Sequence, residues 1–65
     1  MQFVDYERLG SIAVIRMNHP ERGNALSSEM VSDLMEVHAM FRDEPETRVA
    51  VLTGVGRFFC AGLDL

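Results

Sequence analysis

The stretch Leu52-Thr53-Gly54-Val55-Gly56-Arg57-Phe58-Phe59-Cys60-Ala61-Gly62-Leu63-Asp64-Leu65 decides how this chain is read. It opens as the end of an apolar strand, passes through a Gly-x-Gly turn and reaches Ala-Gly-Leu-Asp-Leu after two phenylalanines and a cysteine. Glycine lets the backbone approach a ligand without side-chain obstruction. A helix starting near Asp64 would put the Leu63 N–H at its positive end. A donor fixed there suits an oxygen that gains negative charge during a reaction. From spacing alone, a tight turn between packed elements is the simpler reading. A dinucleotide fingerprint also begins with Gly-x-Gly after a strand. Its third glycine would fall at Phe59, whose ring blocks the close helix–strand packing that glycine permits.

Working back from that stretch, Arg48–Thr53 contains the run Val49-Ala50-Val51-Leu52, which predicts a buried parallel strand. Before it, Met30, Leu34, Val37 and Phe41 recur at helical spacing and form one apolar stripe. Ser27 is placed to cap that helix, Glu29 sits in its first turn, and Leu26 and Val31 occupy the positions of a hydrophobic staple. Met35 and Ala39 fall on the outer side, and Asp43-Glu44-Pro45 ends the helix. Asn18–Leu26 reads as a loop, with Pro20 pushing His19 out of the helical region and Gly23-Asn24 forming a turn pair. At the start, Phe3–Leu9 and Ile12–Met17 read as a hairpin closed by Gly10-Ser11. The second of these strands is nearly all apolar and is expected to be covered on both faces. The order is β-β-α-β. A strand buried at the end of that order needs neighbours on both edges, so the chain reads as the beginning of something larger.

Composition narrows the function classes. The 65 residues allow at most one small domain, and 48% hydrophobic with 25% charged residues is ordinary globular content. A net charge of −4 without a basic run argues against nucleic acid or an anionic membrane as partner. The single cysteine leaves no internal disulfide, and no Cys/His cluster has metal-ligand spacing. The N-terminal residues do not read as a signal peptide and no run spans a membrane, so the expected compartment is cytoplasmic.

The decisive stretch, read together with Asn18-His19-Pro20-Glu21-Arg22-Gly23-Asn24-Ala25-Leu26-Ser27 and Arg48-Val49-Ala50-Val51-Leu52-Thr53-Gly54, resembles the enoyl-CoA hydratase/isomerase (crotonase) superfamily. The resemblance runs in order over essentially the whole chain. It implies an α/β fold: residues 1–65 as the N-terminal fragment of a crotonase-like domain, a ββαβ start of a ββα spiral that is incomplete in this chain. It also implies an acyl-CoA thioester as substrate, with coenzyme A part of that substrate and no prosthetic group or metal. The Leu63 backbone N–H is the implied oxyanion donor. Asn24, Ala25, Leu26, Ala61, Gly62, Leu63, Asp64 and Leu65 are the implied coenzyme A segments. The second donor and the acid/base glutamates of the family's hydratases would lie beyond Leu65. The 65 residues alone are therefore expected to be inactive, and the complete protein to be a homo-oligomer, a trimer or hexamer. Hydration of a 2-enoyl-CoA is the first expectation for the reaction.

Two positions depart from the family pattern. Leu63 stands where hydratases most often carry alanine, which implies a narrowed or reshaped acyl site. His19 stands where arginine is more usual. Other reactive side chains have plainer readings: Cys60 as a packed structural cysteine, His38 as a partly buried packing residue, His19 as a surface residue, Arg22 as a solvated loop arginine, Glu29 and Glu36 as solvated charges, and Asp64 as the cap of a following helix. The alternatives to an enzyme segment are a non-catalytic module that binds coenzyme A or joins other subunits, and a nucleotide-binding βαβ unit.

Overall fold

The computed structural model describes residues 1–62; Leu63, Asp64 and Leu65 lie outside the described residues. Two strands, β1 (Val4–Leu9) and β2 (Ile12–Met17), form the hairpin, and a helix α1 (Ser28–Arg42) carries the chain over to β3 (Val49–Gly54). Gly10 adopts φ +63 at the first central position of the two-residue turn, where glycine carries no steric penalty. The sheet order is β1-β2-β3. β1 pairs antiparallel with β2 from Val4↔Met17 to Leu9↔Ile12, and β2 pairs parallel with β3 from Ile12↔Val49 to Met17↔Gly54. A parallel pair needs a crossover, which α1 supplies.

Ser27 caps α1, accepting a hydrogen bond from the Met30 N–H at 3.1 Å. The helical stripe packs onto one sheet face. Val4, Ile15, Met17, Met30 and Val37 form the core, with Phe3, Tyr6, Leu26, Leu34, Phe41 and Cys60 packed against it. Strand side chains alternate between faces, so Val4 and Tyr6 on β1 meet Met17 and Ile15 on β2 beneath the helix.

Three expectations are corrected. β2 is not covered on both faces: Ala13, Ile15 and Met17 are buried, but Ile12 is exposed and Val14 and Arg16 are half-buried. α1 occupies one face, and among the described residues nothing covers the other. β3 is parallel as expected but not buried, with Val49, Val51 and Leu52 exposed by 54%, 44% and 46%. It forms one edge of the sheet, and α1 packs over β1 and β2 rather than over it. His38 is exposed, lying edge-on to Phe41 with ring centroids 5.3 Å apart. It lines an open groove on the uncovered side of α1 together with Leu26, Val31, Leu34, Met35 and Ala39.

A polar latch ties β1 to the connection after α1. The Tyr6 hydroxyl reaches both Glu44 carboxylate oxygens at 3.1 and 3.0 Å, and Thr47 Oγ1 and Arg8 Nη1 donate to Glu44 Oε2 at 3.1 and 3.2 Å. Desolvation, then the hydrogen bond to Glu44 and its charge, push the Tyr6 hydroxyl above the usual phenol value, against opposing effects of Arg8 and Thr47. Desolvation alone would raise Glu44, but donation from Tyr6, Thr47 and Arg8 and the charge of Arg8 bring it below the usual carboxylate value. Each shift sets a pH window. The Glu44 contribution is present above the ordinary carboxylate pKa and is lost as pH falls through the lowered folded value. The Tyr6 contribution is present below the ordinary phenol pKa and is lost as pH rises through the raised folded value. Tyr6→Phe should therefore lower the thermal midpoint near neutrality and weaken the loss of stability on the alkaline side. An unchanged alkaline loss in calorimetric scans would contradict the latch.

Candidate functional site

The two motif segments, far apart in sequence, meet at one edge of the fold. After β2 the chain enters a short 3₁₀ turn, Pro20–Arg22, which the loop reading of Asn18–Leu26 missed. Proline's fixed φ and missing N–H suit the first position of such a turn. His19 just before it has φ −137 and ψ 62, outside the helical region that the ring of Pro20 disfavours. Gly23 and Asn24 then adopt φ +61 and +55, two left-handed residues in succession that reverse the chain. Asparagine is among the few side-chain-bearing residues that tolerate this conformation.

The loop then pairs with the residues after β3. The Ala61 N–H donates to the Gly23 carbonyl at 2.9 Å, and the Leu26 N–H donates to the Gly62 carbonyl at 2.7 Å. Asn24 links the same two segments through its side chain. Its Oδ1 accepts from the His19 N–H at 2.7 Å, and its Nδ2 donates to the Val55 and Phe58 carbonyls at 3.0 and 2.9 Å. The residue is completely buried.

The glycines of the turn serve this packing. A Cβ on Gly54 would lie 2.6 Å from the Phe59 carbonyl oxygen and 2.8 Å from Asn24 Nδ2. One on Gly56, whose φ is +93, would lie 2.9 Å from Pro20 Cβ. The missing side chains of Gly54 and Gly56 thus make room for Asn24 and Pro20 of the loop. Gly62 has φ +109, with open space where a Cβ would stand.

Of the residues assigned to the site from sequence, Asn24, Ala25, Leu26, Ala61 and Gly62 are brought together. Leu63, Asp64 and Leu65 lie outside the described residues. Cys60 is half-buried and packed against the core, as expected for a structural cysteine. His19 is stacked flat on Phe3, with centroids 3.9 Å apart and planes 5° from parallel, and its Nε2 lies 3.8 Å from Glu21 Oε2. That stack, and the Asn24 bridge, escaped the sequence reading. The one local signal for the bridge was an asparagine directly after a turn glycine, and it gave no partner. Among the described residues no group of three His, Cys, Asp or Glu side chains could hold a metal ion, and no helix is long and apolar enough to cross a membrane.

A family model described as enoyl-CoA hydratase/isomerase matches residues 7–65. The chain belongs to the enoyl-CoA hydratase/isomerase family. It is 41% identical over 59 residues to an enoyl-CoA hydratase of Mycobacterium tuberculosis, covering 91% of this chain and 22% of the relative. It is 37% identical over 59 residues to a 3-hydroxyisobutyryl-CoA hydrolase of Arabidopsis thaliana, covering 91% and 16%. The fold agrees: the crystal structure of an enoyl-CoA hydratase/isomerase from Mycobacterium paratuberculosis superimposes with a TM-score of 0.94 at 34% identity, over 98% of this chain and 25% of that one. The ββαβ unit is thus the start of a crotonase-like ββα spiral. The chain spans about a quarter or less of the length of these family members.

Proposed function

We propose that this segment supplies part of an acyl-CoA thioester site, with the Leu63 backbone N–H as an oxyanion donor. The observation that carries the reading is the pairing of Gly23–Leu26 with Ala61–Gly62, which sets the two family motifs side by side. In the proposal, the backbone of Asn24, Ala25 and Leu26 lines coenzyme A from one side and Ala61–Leu65 from the other. Removing the α proton of a thioester, or adding water across its conjugated double bond, puts charge on the carbonyl oxygen, and a fixed N–H donor stabilises it. Acid and base side chains then select the reaction.

Hydration of a 2-enoyl-CoA is the proposed reaction of the whole protein. A hydratase among its relatives supports this, and the relative named as a hydrolase marks the alternative that the reaction differs. The proposal extends to a cytoplasmic homo-oligomer, a trimer or hexamer, and to the 65 residues alone being inactive in turnover. Calorimetric titration of a polypeptide carrying this segment, with an acyl-CoA and separately with NAD and ATP, tests the reading. Heat of binding for the acyl-CoA alone is expected. Saturable binding of a dinucleotide in preference to the thioester would overturn it.

A further inference from the structure

We infer that Asn24 is a positioning residue that couples the placement of the Ala61–Gly62 segment to the Ala25–Leu26 loop. The inference rests on the acyl-CoA reading above and deepens it, because it gives the Asn24 side chain a role apart from the ligand.

Three observations converge on it. The side chain is wholly buried, and its Nδ2 is engaged by two backbone carbonyls, leaving that donor nothing to offer a bound molecule. Those carbonyls, of Val55 and Phe58, bracket the turn that leads directly into Phe59–Gly62. The same amide holds the loop's entry through the His19 N–H. Space for it exists because Gly54 lacks a Cβ, which would stand 2.8 Å from Nδ2. One planar amide therefore spans the entry of the first motif and the turn of the second. A shift of either segment must stretch its hydrogen bonds. Displacement of a reacting geometry by about 1 Å lowers rate by roughly a hundredfold, so the Asn24 amide bears on turnover without touching substrate.

Two substitutions separate its arms. Asn24→Asp tolerates the left-handed backbone and keeps the acceptor for the His19 N–H, but turns oxygen toward the Val55 and Phe58 carbonyls. Asn24→Gly keeps the backbone freedom and loses every arm. In the full polypeptide carrying this segment, with a 2-enoyl-CoA as probe, both should lower kcat per folded molecule by about 10- to 100-fold and move KM by less than about threefold. Asn24→Asp should recover part of its kcat as pH falls through the pKa of the introduced carboxyl, since the protonated group regains one donor. Asn24→Gly should show no such recovery. A residue that only stabilises the fold would lower the folded fraction and leave kcat per folded molecule unchanged, which would overturn the inference. Hydrogen exchange on the unsubstituted protein tests it without any variant. The Asn24 side-chain amide, the Ala61 N–H and the Leu26 N–H should open together. Exchange of the Asn24 amide about a hundredfold faster than the Ala61 N–H would overturn the coupling. An unaffected kcat in Leu63→Pro would remove the oxyanion reading itself. A sensitive Leu63→Pro beside an insensitive Asn24→Asp would remove only the coupling.

Discussion

Leu63→Pro, in a polypeptide that carries this segment and turns over a 2-enoyl-CoA, should lower kcat by about 10²–10³, the effect of removing one oxyanion donor, or roughly 2.7–4 kcal/mol of transition-state stabilisation. Proline has no N–H, so the donor is deleted while the side chain stays apolar. Gly62, at φ +109 in open space, has the conformational latitude to precede it. Affinity for coenzyme A itself should fall far less, because the proposed cofactor contacts are spread over Asn24–Leu26 and Ala61–Leu65. Leu63→Ala is the control. It keeps the N–H, so kcat should stay within several-fold while the range of accepted acyl groups widens. Steady-state kinetics on the three proteins checks this, and equal turnover in parent and Leu63→Pro would remove Leu63 from the mechanism.

The second large effect is on folding. Met30→Ala should cost about 2–5 kcal/mol, the usual range for deleting a buried methionine side chain in a packed core. Met30 is fully buried between the capped first turn of α1 and the β1–β2 face. A core in a chain this short supplies only about 3–5 kcal/mol in all, so the 65-residue segment should lose any cooperative unfolding transition. Met30→Leu conserves volume and should cost less than about 1.5 kcal/mol. Chemical denaturation followed by circular dichroism distinguishes the two. Equal midpoints for parent and Met30→Ala would mean that α1 does not hold the sheet through this residue.

The elements of the fold were legible because each carries a local signal. Ile12–Met17 announces a strand by its β-branched run, Ser27 announces the helix start, and Met30, Leu34, Val37 and Phe41 announce which helix face is buried. What stayed illegible depends on neighbours. Val49, Val51 and Leu52 have the composition of a buried strand, yet they lie on a sheet edge that α1 does not cover. No periodicity within β3 reports that. The Tyr6–Glu44 latch likewise joins residues whose sequence separation hides the contact.

The candidate site divides the same way. Gly23-Asn24 and Ala61-Gly62 were readable as turns, since glycine and asparagine mark left-handed backbone. That the first turn reads the second through a buried side chain was not readable, because hydrogen bonds between Asn24 and the Val55 and Phe58 carbonyls leave no trace in spacing. Gly54 shows why a motif needs its surroundings. As sequence it begins a dinucleotide fingerprint, whereas in the fold its missing Cβ makes room for Asn24 and the Phe59 carbonyl.

The most direct test of the acyl-CoA reading is isotope-edited infrared spectroscopy of a thioester carbonyl, using a non-reacting acyl-CoA bound to a polypeptide carrying Met1–Leu65. A backbone donor at Leu63 polarises that carbonyl, so its stretch should move to lower frequency on binding and return most of the way toward the free value in Leu63→Pro. A bound carbonyl at the free-solution frequency, or a shift that Leu63→Pro leaves intact, would contradict the account.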